Sequence, residues 1–435
     1  MKMLKLQTIQ TTAALLGLSI SLVACRASEE DFSATAEGGA GAGSTVTVMG
    51  IIIGEQQKKL EKALAPFEQE TGIDVIYEGT DAFATLLPIR VDAGNPPDIA
   101  MFAQPGLLTD LAREGQLVPL ETFMDIEKFS EAYSQDWIDM ATIDGTLYGI
   151  WYRALLKSMV WYSPAAFESR GYEIPKTWDE LLALTAQIVA DGGVPWCLGM
   201  ESGDATGWVG TDWVENIMLR IAGSSGYDQW ITNEIPFDHP SVKAAFEKFG
   251  EIVLNPNYVV GGTVGVISTP FGDSPLLLFD DPPGCYLHVQ SSIITSFFPG
   301  DIVVGEDVDF FPLPGIQAEF GLPILVSGDI FAVLNNTSEA QALMEYLATP
   351  KPHEIWASLG GYLSPHNQVN LDAYIDEVAK RQAETILDAE TVRFDGSDMM
   401  PGTVGTGTFW TGVTDYVGGA DLDAVLSDIQ ASWPK

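Results

Sequence analysis

The chain has 435 residues, 46% of them hydrophobic and 19% charged, long enough for two domains with real cores and too apolar for disorder. Its 60 acidic side chains against 21 basic ones give a formal charge of −39 and a pI near 4.1. No Lys/Arg cluster exists to meet phosphates or anionic lipid, which all but excludes nucleic-acid binding and excludes electrostatic membrane docking. So much negative charge keeps a protein soluble and monomeric, most usefully where salt screens the self-repulsion.

Lys2 and Lys5 precede an apolar stretch that is densest over residues 13–18 and 20–24. A short apolar run behind a basic end is a secretory signal, not a span of about 20 residues. Its ending, Leu22-Val23-Ala24-Cys25, resembles a bacterial lipobox, which implies cleavage before Cys25 and lipid on its sulfur. An ordinary export signal is the alternative. Residues 1–24 are thus expected as a signal peptide. Residues 25–43, which mix Ser, Glu, Ala and Gly, are expected as a flexible tether. The folded body would be exported, periplasmic or at the cell surface, and held to the membrane only through Cys25. Cys197 and Cys285 remain. In an oxidising compartment one bridge between them is the simplest arithmetic, and two buried thiols the alternative.

From residue 45 to 53 the apolar density predicts a buried strand, followed by a helix over 55–70 with Leu60, Leu64 and Phe67 at helical spacing. A strand over 73–77, a helix over 81–92, a strand over 98–102 and a helix over 107–113 follow. Strand and helix alternating with short links predicts parallel βαβ units. Thr177-Trp178-Asp179-Glu180 is a capping box opening a helix to Ala190. Helices are expected over 210–221, 246–254, 338–347 and 421–433, and a buried strand over 330–334. The stretch 282–315 reads as strand- and turn-rich, and 393–412 as a Gly-, Pro- and Thr-rich tail. Two α/β lobes are expected, with ligands in the crevice at the strand ends.

Chemistry is conspicuous by type. No nucleotide-binding glycine motif, nucleophile elbow or calcium loop appears, and His239, His288, His353 and His366 lack metal-ligand spacing. No metal, nucleotide or other cofactor is therefore expected. Several of the 11 Trp sit beside polar residues, as in Trp151-Tyr152-Arg153, Asp212-Trp213 and Phe409-Trp410. An indole face against the C–H side of a sugar, with carboxylates, Gln or Arg on the hydroxyls, is how neutral carbohydrates are held. A glycosidase uses the same materials plus a carboxylate pair about 5–9.5 Å apart, which spacing in sequence cannot reveal.

Two runs, Phe67-Glu68-Gln69-Glu70-Thr71-Gly72-Ile73 and Ala93-Gly94-Asn95-Pro96-Pro97-Asp98-Ile99-Ala100, resemble the opening of family 1 extracellular solute-binding proteins. Asp144-Gly145-Thr146-Leu147-Tyr148-Gly149-Ile150 and Pro175-Lys176-Thr177-Trp178-Asp179-Glu180-Leu181 continue that pattern. The runs 196–203, 206–208, 211–213, 285–290 and 393–401 resemble the α-glucoside receptors of that family. The resemblance implies an α/β, two-lobed periplasmic-binding-protein fold of type II, maltose-binding-protein-like, with the ligand cleft between lobes. Lobe 1 would comprise 44–153 plus 331–388, and lobe 2 would comprise 154–330 plus 389–435. It also supports the Cys197–Cys285 bridge.

Carried over residue by residue, the resemblance makes Glu55, Asp81, Gln104, Arg153, Trp208, Asp212, His288, Asp329 and Arg393 the candidate ligand-binding residues. Each has a plainer role: a helix N-terminal carboxylate for Glu55, a helix cap for Asp81 and Asp212, core packing for Trp208, a surface arginine for Arg153. His288 reads more readily as a structural strand residue, and Arg393 as an ion-pair partner of Asp395. At Asp329 the sequence departs from the family's double-glycine turn, since Ser327 replaces the first glycine. The implied function is a lipid-anchored substrate-binding protein of an ABC sugar importer, not an enzyme, with permease subunits as partners. Its ligand would be a small neutral α-glucoside: glucosylglycerol, sucrose, trehalose or maltose. The acidity suits a saline habitat and an osmolyte. The alternatives are a lipid-anchored glycoside hydrolase acting on α-glucosides and a peptide- or oligosaccharide-binding adhesin.

Overall fold

Alternation of strand and helix at the start of the chain builds the parallel units it predicts. β1 (Ser44–Gly50) lies between β2 (Ile73–Gly79) and β3 (Ile99–Phe102), parallel to both, with α1 (Gly54–Thr71) and α2 (Phe83–Asp92) as crossovers. A third helix, α3 (Pro105–Arg113), follows β3. This is a computed structural model, and it describes residues 43–434. The expected signal peptide, tether and lipidated Cys25 lie outside the described residues.

Beyond α3 the chain alternates between two bodies. β4 (Gly149–Leu156) leads into β5 (Met159–Tyr162), the middle strand of a three-stranded antiparallel sheet with β6 (Leu287–Val289) and β7 (Asp309–Pro312). β8 (Ile324–Val333) then pairs antiparallel with both β3 and β4, and β9 (Val392–Phe394) adds a parallel strand at its edge. The large sheet therefore runs β9-β8-β3-β1-β2, with β4 also on β8.

One core holds the buried apolar residues of 46–156 and most of those of 324–394, joined by Met159, Trp161, Cys197, Leu278, Cys285, Ile294, Val308 and Phe310; the other holds most of those from Val160 to Val289 and from Met400 to Ile429, with Phe311, Leu313 and Leu325. The three-stranded sheet turns Met159, Trp161 and Phe310 toward the first, and Val160, Tyr162 and Phe311 toward the second. Alternation along β5 and β7 supplies both sets. The chain passes between the cores at three adjacent places. Lys157 N donates to Leu325 O at 2.9 Å, Asp395 N to Val326 O at 2.8 Å, and Leu325 N to Ser158 Oγ at 2.8 Å. These passages lie near 157, 325 and 395.

All ten residues of β8 are buried, although Ser327-Gly328-Asp329 reads as a turn. Asp329 stays in the strand because it faces Arg153 on β4 and pairs with it. Gly328 stays because a Cβ there would lie 2.2 Å from the Arg153 carbonyl oxygen.

The second core is mostly helical. Thr177 caps α4 (Trp178–Ala190) by accepting from Glu180 N at 3.2 Å, and Glu180 reaches back to Lys176 N at 2.6 Å. α5 (Trp208–Ile231) starts near the expected place and continues ten residues further, through a kink at Gly223. The stretch expected as a Gly-, Pro- and Thr-rich tail is ordered instead. Its Gly396–Met399 turn, seven-residue π-helix Thr403–Phe409 and helix Trp410–Val417 follow one another closely.

Cys197 and Cys285 are buried and bonded, with Cα atoms 5.4 Å apart across 88 residues of sequence. Closing so long a loop removes much of the unfolded chain's freedom. Replacing both by Ser should therefore lower the unfolding free energy by about 2–4 kcal/mol. Urea titration of the two proteins under non-reducing conditions checks this, and equal midpoints would contradict it.

Candidate functional site

A cleft of about 600 Å³ opens beside the three crossing segments, at the C-terminal ends of β1, β2 and β3. Strand ends in a parallel sheet are where backbone and loop side chains converge on a ligand. Residues 51–56 enter from the turn after β1, Asp81 from the turn after β2, and Gln104 from the turn after β3.

The floor is ionic. Arg153 Nε meets Asp329 Oδ2 at 2.5 Å, and its Nη1 donates to Gln56 Oε1 at 2.5 Å. Lys157 Nζ meets Asp212 Oδ1 at 2.7 Å and also pairs with Asp395 Oδ2. All these ionised groups are buried. Burial alone would push the Lys157 ammonium down, but Asp212 and Asp395 outweigh it and hold its pKa well above the usual lysine value. Asp395 is pulled the other way. Burial opposes its charge, yet Lys157 and the Ser397 hydroxyl keep its pKa below the ordinary carboxylate value. Asp212, Glu215 and Asp398 are all pushed well above theirs, first by burial and then by the Asp395 charge, to which Asp212 adds for Glu215 and Asp398. One ammonium thus serves four carboxylates.

The same groups shape the backbone. Glu215 accepts from Gly396 N at 2.7 Å and from Ser397 N at 3.0 Å. Asp395 Oδ1 caps the short helix, accepting from Asp398 N at 3.1 Å and Ser397 Oγ at 2.8 Å. Asp398 is delivered into the cleft by this arrangement.

Beside the charges is an aromatic wall. Trp208 and Phe271 meet edge to face at 5.1 Å, and Phe271 and Phe297 at 5.0 Å. Trp410 stands beside them and donates from Nε1 to Ser397 Oγ at 3.4 Å. Gly207 makes the arrangement possible: its φ is 117°, and a Cβ would lie 2.2 Å from the Trp410 carbonyl oxygen. The Lys157 ammonium lies 5.3 Å from the Trp208 ring centre, a cation–π distance. Three polar atoms of lining residues, Gln104 Oε1, Ser291 Oγ and Ser296 Oγ, are buried without a protein partner. Apolar rings together with committed charges and spare acceptors in one cleft suit a ligand with a C–H face and a hydroxyl rim. Among the described residues no group of three His, Cys, Asp or Glu could hold a metal ion.

Of the nine residues singled out from the sequence, Glu55, Asp81, Gln104, Arg153, Trp208 and Asp329 line the cleft. Glu55 and Asp81 are exposed at its rim, Glu55 beside Lys58 at 2.5 Å. The other three are placed elsewhere. Asp212 lies behind the floor as the counter-ion of Lys157. His288 is buried on β6, where Nδ1 donates to Cys197 O at 2.7 Å. Arg393 points away from the floor to Asp228 on α5, which it grips at 2.6 and 2.8 Å, while Asp395 is taken by Lys157.

Gln56, Lys157, Asp395, Asp398 and Trp410 also line the cleft but are not among the nine candidates, although Trp410 is one of the tryptophans set beside polar residues. Lys157 carried a signal, a lone cation in the apolar run 154–161 that demands an anionic partner. Burial holds the His288 imidazole down to about 4. Its ring resonances should therefore stay those of a neutral histidine from pH 8 down to pH 5; a midpoint near the ordinary 6.5 would contradict that burial.

The sequence profile of the bacterial extracellular solute-binding proteins matches residues 53–354. The chain is 57% identical to the osmoprotective compounds-binding protein GgtB of Synechocystis sp. over 390 residues, covering 90% of this chain and 92% of the relative. It is 44% identical to the alpha-glucosides-binding periplasmic protein AglE of Rhizobium meliloti over 403 residues, covering 90% and 87%. Among solved structures, the bacterial solute receptor AcbH superposes with a TM-score of 0.77 at 18% identity, covering 89% of this chain and 97% of that one. Maltose-bound MalE3 of T. maritima gives 0.70 at 17% identity, covering 89% and 98%. At those identities the structures speak for the fold, and it is the maltose-binding-protein-like one. The curated relatives are binding proteins, which decides against the hydrolase reading. The chain belongs to the bacterial extracellular solute-binding proteins, the exported substrate-binding components of ABC importers.

Proposed function

We propose that the protein is a lipid-anchored receptor that presents a small neutral α-glucoside to an ABC importer. The observation that carries this reading is that one cleft is lined both by the rings of Trp208, Phe271, Phe297 and Trp410 and by the Arg153 and Lys157 ion pairs. A cleft of about 600 Å³ has the volume of a small-molecule site. The ligand candidates are glucosylglycerol, sucrose, trehalose and maltose. The name of the Synechocystis relative, with the charge of −39, favours an osmolyte among them.

We read the two cores as two lobes, 44–156 with 326–394 and 158–324 with 395–434, hinged at the three crossing segments. A sugar touching Gln104 and Arg153 on one side and Trp208 and Trp410 on the other stabilises the closed form by its contacts to both. The permease would then recognise that form. Lipid on Cys25 would keep the receptor at the membrane, and the chain would act as a monomer. No cofactor enters this scheme.

Titration calorimetry of the mature chain with the four sugars, followed by chromatography of what is recovered, tests the reading. One sugar should bind one to one and return unchanged, and heat from none of the four would overturn it. Trp208→Ala should weaken that binding by ~10–100-fold, the range for an anchoring aromatic. Unchanged affinity in that variant would remove the ring from the site. Cys25→Ala should release the protein from membranes into the soluble exported fraction, and retention with the membrane would contradict the anchor.

A further inference from the structure

Six carboxylates and two basic groups line the cleft, and they are not equivalent. Asp329 is committed to Arg153, and Asp395 to Lys157, whose ammonium also serves Asp212 behind it. Glu55 sits at the rim beside Lys58, while Asp81 and Asp204 are exposed to solvent. Asp398 differs from all five. It is only 9% exposed, it faces the cleft, and no basic group among the described residues pairs with it. Its side-chain neighbour is the Gln104 amide, whose Oε1 is itself buried without a partner.

We infer that Asp398 sets the charge class of the ligand: it holds hydroxyls of an uncharged glucoside and turns away a glucoside whose aglycone bears a carboxylate. This rests on the reading of the cleft as a glucoside site. Two neighbouring hydroxyls offer donors at the spacing of two carboxylate oxygens, and Gln104 Oε1 stands ready for a third. A ligand carboxylate finds the opposite. It would be the fifth acid in a space where Asp212, Glu215, Asp395 and Asp398 already share Lys157. Arg153 is bonded to Asp329 and Gln56, so the second base is occupied too. An acidic ligand enters only by bringing a proton or by breaking a buried pair, and both are costly.

The test compares glucosylglycerol with glucosylglycerate, in which a glycerol CH₂OH is replaced by a carboxylate, by calorimetry at pH 8 on the mature chain. The wild-type protein should prefer the neutral compound by at least ~100-fold, as expected when like charges meet across a buried contact. In Asp398→Asn the affinity for glucosylglycerol should fall ~10-fold or more, and the preference should narrow to under ~10-fold. A wild-type measurement in 1 M NaCl needs no variant and separates contact from long-range field. With screening over about 3 Å, a preference made by Asp398 persists, whereas one made by the overall charge of −39 collapses.

Collapse in salt, equal binding of both compounds by the wild type, or an unchanged preference in a folded Asp398→Asn protein would each overturn the inference while leaving the receptor reading intact. Where calorimetry identifies another of the four sugars as the ligand, the compared pair is that sugar and its uronate, and the same outcomes decide. No binding of any glucoside would overturn the receptor reading itself, and this inference with it.

Discussion

The floor of the cleft hangs on one buried ammonium. Lys157 closes the first passage between the cores, and its bonds to Asp212 and Asp395 tie that passage to α5 and to the third passage. The second passage runs between them through Lys157 N, Ser158 Oγ and Asp395 N. Taking an ammonium and its carboxylates out of water is expensive, and removing one partner of such a group typically costs about 3–5 kcal/mol because the others stay buried and uncompensated. Substituting Lys157 would strand four acids at once. The arrangement is therefore less a stabilising bridge than a constraint on which side chains can coexist there. Asp398 and Ser397 owe their place in the cleft to it, through Asp395 and Glu215.

That constraint also divides the labour of recognition. Arg153 and Lys157 are held by carboxylates, Arg153 by Asp329. Among the described residues Gln104 Oε1 and Ser291 Oγ are left without a hydrogen-bonding protein partner and the Asp398 carboxyl without a basic one, and on the proposed reading these are the groups that meet hydroxyls. The rings of Trp208, Phe271, Phe297 and Trp410 supply area that a sugar's C–H face can desolvate. The cleft takes Gln104 and Arg153 from one side of the crossing segments and Trp208, Trp410 and Asp398 from the other, so on the proposed reading a ligand joins the two sides, and binding and closure become one equilibrium. The negative charge of the whole chain acts at longer range and on solubility, and salt weakens it.

Much of this was legible in the sequence. The apolar alternation over residues 45–113 has its counterpart in the βαβ units, because a fully buried strand and an amphipathic helix each leave a local signature. The capping box at Thr177 and the helix Ser338–Leu347 were equally local, and motif resemblance pointed to six cleft residues. What escaped was decided by pairing across the fold. Asp329 reads as a turn residue until Arg153 is opposite it. Asp212, His288 and Arg393 stand among the ligand candidates, His288 with the structural reading ahead, until Lys157, the Cys197 carbonyl and Asp228 claim them. Asp398 was hidden in a stretch that composition marks as a loop, but Glu215 and the Asp395 cap hold it as helix.

The central claim is that a neutral glucoside draws the two cores together about the crossing segments near 157, 325 and 395. Small-angle X-ray scattering of the mature chain during a titration with its sugar measures this directly. The account predicts a radius of gyration that falls and saturates at one equivalent of sugar. Tight one-to-one binding with an unchanged scattering profile would contradict it.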